Sequence, residues 1–127
     1  MAGAETLSIS PCFIVNDVSR TVAFYHDLGF AVTFQEPAVD PFFAIVCRDS
    51  AMVFVKNVGV PAVPNATRHP WARWDAYVFT PDPDNLALEY ANNSVTFSAP
   101  LSDTSDGLRG FEISDPDGHV LFFGRPR

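Results

Sequence analysis

Alternation dominates the first segment of the chain. In LSISPCFIVN, residues 7–16, the positions Leu7, Ile9, Pro11, Phe13 and Val15 form an apolar set, and Ser8, Ser10, Cys12 and Asn16 form a small, mostly polar one. A period of two predicts a strand whose faces meet different surroundings. Pro11 has no N–H to give to a ladder, which predicts edge or irregular pairing there. Asp17 reads as a helix N-cap. Val18, Val22 and Tyr25 then recur at helical spacing, flanked by Phe24 and Leu28, until Gly29 offers the left-handed stop. Three more strands are predicted over 30–36, 41–48 and 51–56.

Residues 57–73 carry proline and turn formers without periodicity and read as a connector. The pattern then restarts. A strand over 74–80 leads to Asp82 as cap with Pro83 in the first helical position. Leu86, Ala87 and Tyr90 supply the helical face, Asn92-Asn93 the end, and strands follow near 94–98, 107–114 and 119–124. Val15-Asn16-Asp17 matches Thr80-Pro81-Asp82, Tyr25 matches Tyr90, and Val32-Thr33-Phe34 matches Val95-Thr96-Phe97 after a shift of about two residues. Equal element order and these matches predict an internal duplication within one domain spanning 1–127: a first module over about 5–57, a connector over 58–73, and a second module over about 74–127. Asp115-Pro116-Asp117-Gly118 is a hairpin turn between the last two strands, by ordinary turn chemistry.

Composition narrows the partners. With 8 basic against 15 acidic residues, the net charge of −7 disfavours phosphate backbones and anionic lipid surfaces, so neither nucleic acid nor membrane is expected as a partner. Hydrophobic residues make up 47%, including 12 Phe, enough for a core without disulfide or metal staples. MAGAETLSIS lacks the basic and apolar regions of a secretory signal. Cys12 and Cys47 lie in apolar, strand-like runs and read as two buried free thiols. A cytoplasmic location is therefore expected.

Taken together, Pro11 to Asp17 with Val18-Ser19-Arg20-Thr21-Val22-Ala23-Phe24-Tyr25 and Leu28-Gly29-Phe30, and Gly107-Leu108-Arg109-Gly110-Phe111 with Asp115-Pro116-Asp117-Gly118-His119, resemble the vicinal-oxygen-chelate superfamily of glyoxalases, bleomycin-resistance proteins and ring-cleaving dioxygenases. The likeness spans nearly the whole chain and is closest to the bleomycin-resistance-like members that bind without a metal. It implies an α+β fold of two βαβββ modules forming a curved mixed sheet around a cleft, and a homodimer. Enzymes of the group hold a divalent metal at positions that correspond here to Ser10, Asp75 and Phe122, while Ala51 to Val55 offer no ligand. A hydroxyl, one carboxylate and a phenyl do not form a transition-metal set, which wants three or four N, O or S donors. No cofactor is expected.

His26, His69 and His119 show no i, i+4 ligand spacing, and alternation sends His119 to the face opposite Phe122. No nucleophile pattern stands out at Ser10 or Cys12. Alternation groups Asp75, Tyr77 and Phe79 on the cleft wall, with Val120 and Phe122 on the last strand and Trp71, Arg73 and Trp74 approaching from the connector. Asp75 reads either as a base or cation partner there, or as a solvated strand-end carboxylate. The candidate ligand-binding residues are Ser10, Cys12, Phe54, Trp71, Trp74, Asp75, Tyr77, Phe79 and Phe122, with no metal ligands. The expected function is capture of an aromatic or cationic small molecule. The alternatives are a metal-dependent lyase, dioxygenase or thiol transferase with an atypical ligand set, or a metal-free enzyme using Asp75 as base.

Overall fold

The structure is a computed structural model and describes residues 3–127. The first half forms β1 (Cys12–Ile14), α1 (Val18–Asp27), β2 (Ala31–Glu36), β3 (Phe43–Arg48) and β4 (Ala51–Lys56). A short 3-10 turn at Asn65–Thr67 interrupts the connector. The second half forms β5 (Trp74–Phe79), α2 (Pro83–Asn92), β6 (Ala99–Asp103), β7 (Leu108–Ser114) and β8 (Val120–Pro126). Each half builds its own four-stranded mixed sheet, ordered β1-β4-β3-β2 and β5-β8-β7-β6. In each, the first strand runs parallel to the last and the others pair antiparallel. The α+β class and the two βαβββ units are present, each unit contributing one four-stranded mixed sheet.

The duplication extends to the helix ends. Asp17 accepts from Arg20 N and Asp82 from Asn85 N, each at 3.1 Å, so both caps quench an orphan first-turn donor. At the other ends Phe30 N donates to Tyr25 O and Val95 N to Tyr90 O, each at 3.0 Å. Gly29 (φ +83°) and Ser94 (φ +61°) hold the left-handed position between. Gly29 is needed twice over, since a Cβ there would also lie 2.6 Å from Arg48 Nη1. This alignment corrects one match. Val95 corresponds to Phe30, and Val95-Thr96-Phe97 precedes β6 instead of forming a strand over 94–98.

The strand predicted over 7–16 pairs only at 12–14. Leu7 and Ile9, 85% and 97% exposed, have no sheet to cover, whereas Phe13 and Val15 are buried. Their alternation is real in composition, but no neighbouring strand meets the early residues. Neither thiol is fully buried: Cys12 is exposed and Cys47 half-buried, both free.

One core lies between the helix-bearing faces of the two sheets. It joins Val18, Tyr25 and Leu28 of the first half to Tyr90, Phe111 and Phe123 of the second. Tyr90 Oη donates to Leu28 O at 2.8 Å, and burial pushes that phenol up to about 12. Arg48 reaches across to Glu89 (2.6 and 3.0 Å) and to Leu28 O (2.9 Å), tying α2 to the end of α1. On the opposite faces Phe34 and Met52 of the first sheet and Tyr77 and Phe79 of the second stay exposed, while Val120 and Phe122 of β8 are buried. No described helix is long and apolar enough to cross a membrane.

Candidate functional site

The open face of the second sheet is organised by one irregularity. Pairing of β5 with β8 shifts between Trp74 and Ala76, so Asp75 is the extra residue of a bulge. The bulge changes the parity of the strand, and Trp74 and Tyr77, three residues apart, lie on the same side. Both rings meet Phe122: Trp74 stacks on it at 4.1 Å between centroids and Tyr77 at 5.6 Å, with Trp74 and Tyr77 6.2 Å from each other. Phe122 itself lies over Gly110 and Gly124, where a Cβ would come within 2.6 and 2.5 Å of its ring. Two adjacent glycines therefore provide the flat bed on which the aromatic group rests.

Glu112 holds this group in place. It pairs in register with Phe122 and is 9% exposed. Its Oε2 accepts Trp74 Nε1–H at 2.8 Å, and its Oε1 accepts Arg73 Nη2–H and Nε–H at 3.0 and 3.2 Å. The indole is thus fixed on its face by stacking and at its edge by a charge-assisted hydrogen bond. Tyr77 remains 42% exposed, so the platform is open to a partner ring.

Asp75 departs from the expected place on the cleft wall beside Tyr77 and Phe79. Its two oxygens accept Asn65 N–H (2.9 Å) and Val120 N–H (2.8 Å), stitching the connector and β8 to the bulge. Trp71 also departs from expectation. It is 81% exposed and its ring meets His69, not Trp74. Phe79 pairs with Gly124 on the open side but also lines a crevice of about 320 Å³ between the halves, with Ser50, Ala51 and Pro81. Ser10 precedes β1, outside the sheet. Cys12 and Phe54 pair in register on the open face of the first sheet, where Phe54 joins a ring group with Phe43 and Phe34. The nine expected residues therefore do not form one cluster: Trp74, Tyr77 and Phe122 come together, Cys12 and Phe54 lie on the other sheet, and Asp75 and Trp71 serve elsewhere.

Sequence reasoning passed over Glu112, although a lone acid inside Gly-Phe-Glu-Ile-Ser, in the middle of an apolar strand, is itself a signal. His119 lies on the core side. It stacks on Phe13 at 4.4 Å, and its Nδ1 bonds Asp115 Oδ2 at 2.7 Å. Burial lowers its pKa, but the hydrogen bond to Asp115 and the charges of Asp115, Asp75 and Asp117 together raise it above the ordinary value. Burial, with Asp115 and Asp75, also holds the Tyr25 phenol well above its usual range.

The positions that the resemblance implies as metal ligands do not fit a metal. Ser10 lies outside the sheet, Asp75 has both oxygens engaged by backbone N–H groups, and Phe122 offers no lone pair. Among the described residues no three His, Cys, Asp or Glu side chains converge as a ligand set.

Residues 8–123 match the Glyoxalase/Bleomycin resistance protein/Dioxygenase superfamily. The chain belongs to this family. Solved structures of the same fold include TioX from Micromonospora sp. ML1 (TM-score 0.74, 21% identity, 96% of this chain and 100% of that one). They also include the bleomycin-binding protein of bleomycin-producing Streptomyces verticillus complexed with copper(II)-bleomycin (0.74, 23%, 98% and 100%). A glyoxalase-related enzyme from Clostridium phytofermentans is equally near in shape (0.74, 14%, 100% and 100%). No curated protein sequence matches the chain. At these identities the likeness establishes the fold, which binding proteins and enzymes share.

Proposed function

We propose that this family member captures a planar organic molecule by ring stacking on the Trp74–Tyr77–Phe122 platform, without a metal and without chemistry. The observation that carries the reading is the platform itself: three rings in mutual contact, with Phe122 buried on two glycines, Trp74 locked by Glu112, and Tyr77 left 42% exposed. Rings fixed in advance lose little conformational freedom on binding, which favours capture. Bleomycin binding by a structural neighbour supports a binding role for the fold. The protein works as a homodimer in the cytoplasm. A second copy covers the exposed rings of the open face and closes the cleft, since Tyr77 and Phe79 stay exposed in the single chain.

A thermal-shift screen over two- and three-ring planar compounds of positive, neutral and negative charge tests this. At a free ligand concentration 100 times Kd, a true ligand stabilises by about 2.7 kcal/mol. The expected result is a concentration-dependent rise in melting temperature for a subset of the panel, absent in Trp74→Ala. Silence across the panel, or an undiminished rise in Trp74→Ala, overturns the reading.

A further inference from the structure

We propose that the ligand of this face is a planar aromatic acid, its ring stacked against Trp74 and Tyr77 and its carboxylate on the guanidinium of Arg73. The inference rests on the capture reading and adds the charge of the ligand, which that reading leaves open.

The Glu112–Arg73 pair stands at the edge of the ring platform with its positive end outermost. The side chain of Arg73 is 36% exposed and that of Glu112 11%. Glu112 takes the indole N–H on one oxygen and the Nε and Nη2 donors of Arg73 on the other, so indole and guanidinium converge on one carboxylate. Nη1 of Arg73 donates to nothing among the described residues, and its N–H groups remain for an incoming acceptor. A guanidinium presents these donors in a rigid plane, which matches a carboxylate better than an ammonium does.

The acid expected to draw a cation is not free to do so. Both Asp75 oxygens accept backbone N–H groups, from Asn65 and Val120. A cationic ring on the platform would meet Arg73 first and be repelled. The overall charge of −7 favours cations at long range, but exposed charges beyond about 10 Å are largely screened at 0.1 M salt. A hydrogen bond to a charged group at contact is not. Stability alone does not call for this pair either, because an ion pair with one partner this exposed contributes little. A charged pair kept beside a ring stack suits recognition.

Isothermal titration of the full protein with 2-naphthoate, 2-naphthylmethanol and 2-naphthylmethylammonium holds the ring constant and varies only the charge. Naphthoate is expected to bind at least about tenfold more tightly than the alcohol, a difference of about 1.4 kcal/mol. The ammonium is expected to bind least. In Arg73→Gln the roughly tenfold preference for naphthoate over the alcohol is expected to disappear, read as the ratio of the two affinities within the variant. Where Arg73→Gln melts far below the wild type, Arg73→Lys replaces it, and an intermediate preference is expected. Equal affinities, or preference for the ammonium, overturn this inference and leave ring capture standing. Absence of binding by all three compounds overturns the capture reading as well.

Discussion

Asp115→Ala is expected to cost about 3–5 kcal/mol of folding stability, the range found when one member of a buried charged pair is removed. The Asp115 side chain is 0% exposed and accepts three N–H groups: Asp117 N at 3.0 Å, His119 N at 2.8 Å and His119 Nδ1 at 2.7 Å. Alanine leaves all three without their acceptor in the turn that starts β8. His119 also stacks on Phe13, so the loss loosens the seam between β1 and the last hairpin.

The same pair predicts a pH dependence. The folded pKa of His119 lies above its ordinary value of 6.5. Its contribution is therefore fully present below that ordinary value and is lost as pH rises through the folded pKa. Urea unfolding of the wild type and Asp115→Asn at pH 6 and pH 9 reads this out. The stability gap between the two proteins should be wider at pH 6, and a gap that widens towards pH 9 contradicts the assignment.

Gly124→Ala is expected to cost about 3 kcal/mol, the upper part of the range for overpacking, and to disturb the platform directly. A Cβ at 124 would lie 2.5 Å from Arg109 O, 2.5 Å from Phe122 Cε2 and 3.1 Å from Gly110 Cα. The carbonyl cannot retreat without breaking the β7–β8 ladder in which Gly110 and Gly124 are paired. The Phe122 ring must lift, and with it the stacked Trp74. Melting should fall by roughly 10 °C, with a changed near-ultraviolet circular dichroism signal from the tryptophan. A melting point within about 2 °C of wild type and an unaltered aromatic signal would show that the glycine bed is unimportant.

Features governed by neighbours in sequence were legible before the structure. Asp17 and Asp82 cap their helices, Gly29 stops the first, and the Asp115–Gly118 turn closes its hairpin, each by chemistry acting within a few residues. What distant pairing decides was not. Leu7 and Ile9 alternate like strand residues, but strand status needs a partner, and β4 offers one only at Phe54, Val55 and Lys56. The bulge at Asp75 changed the inferred face only at the start of the strand: alternation put Asp75 on the cleft wall with Tyr77 and Phe79, and one extra residue gave its place to Trp74 while Tyr77 and Phe79 kept theirs. Glu112 and Arg73 lie 39 positions apart, and nothing local to either announces the other.

The platform can be tested at a single atom. In a nitrogen-15 spectrum the two tryptophan indole N–H groups report separately, Trp74 from its bond to Glu112 and Trp71 from the exposed connector. On titration with 2-naphthoate or 2-naphthylmethanol, the Trp74 indole signal is predicted to shift and saturate while that of Trp71 stays in place. An unmoved Trp74 signal, with shifts centred on Ser50 and Ala51 in the crevice between the halves, would contradict the account.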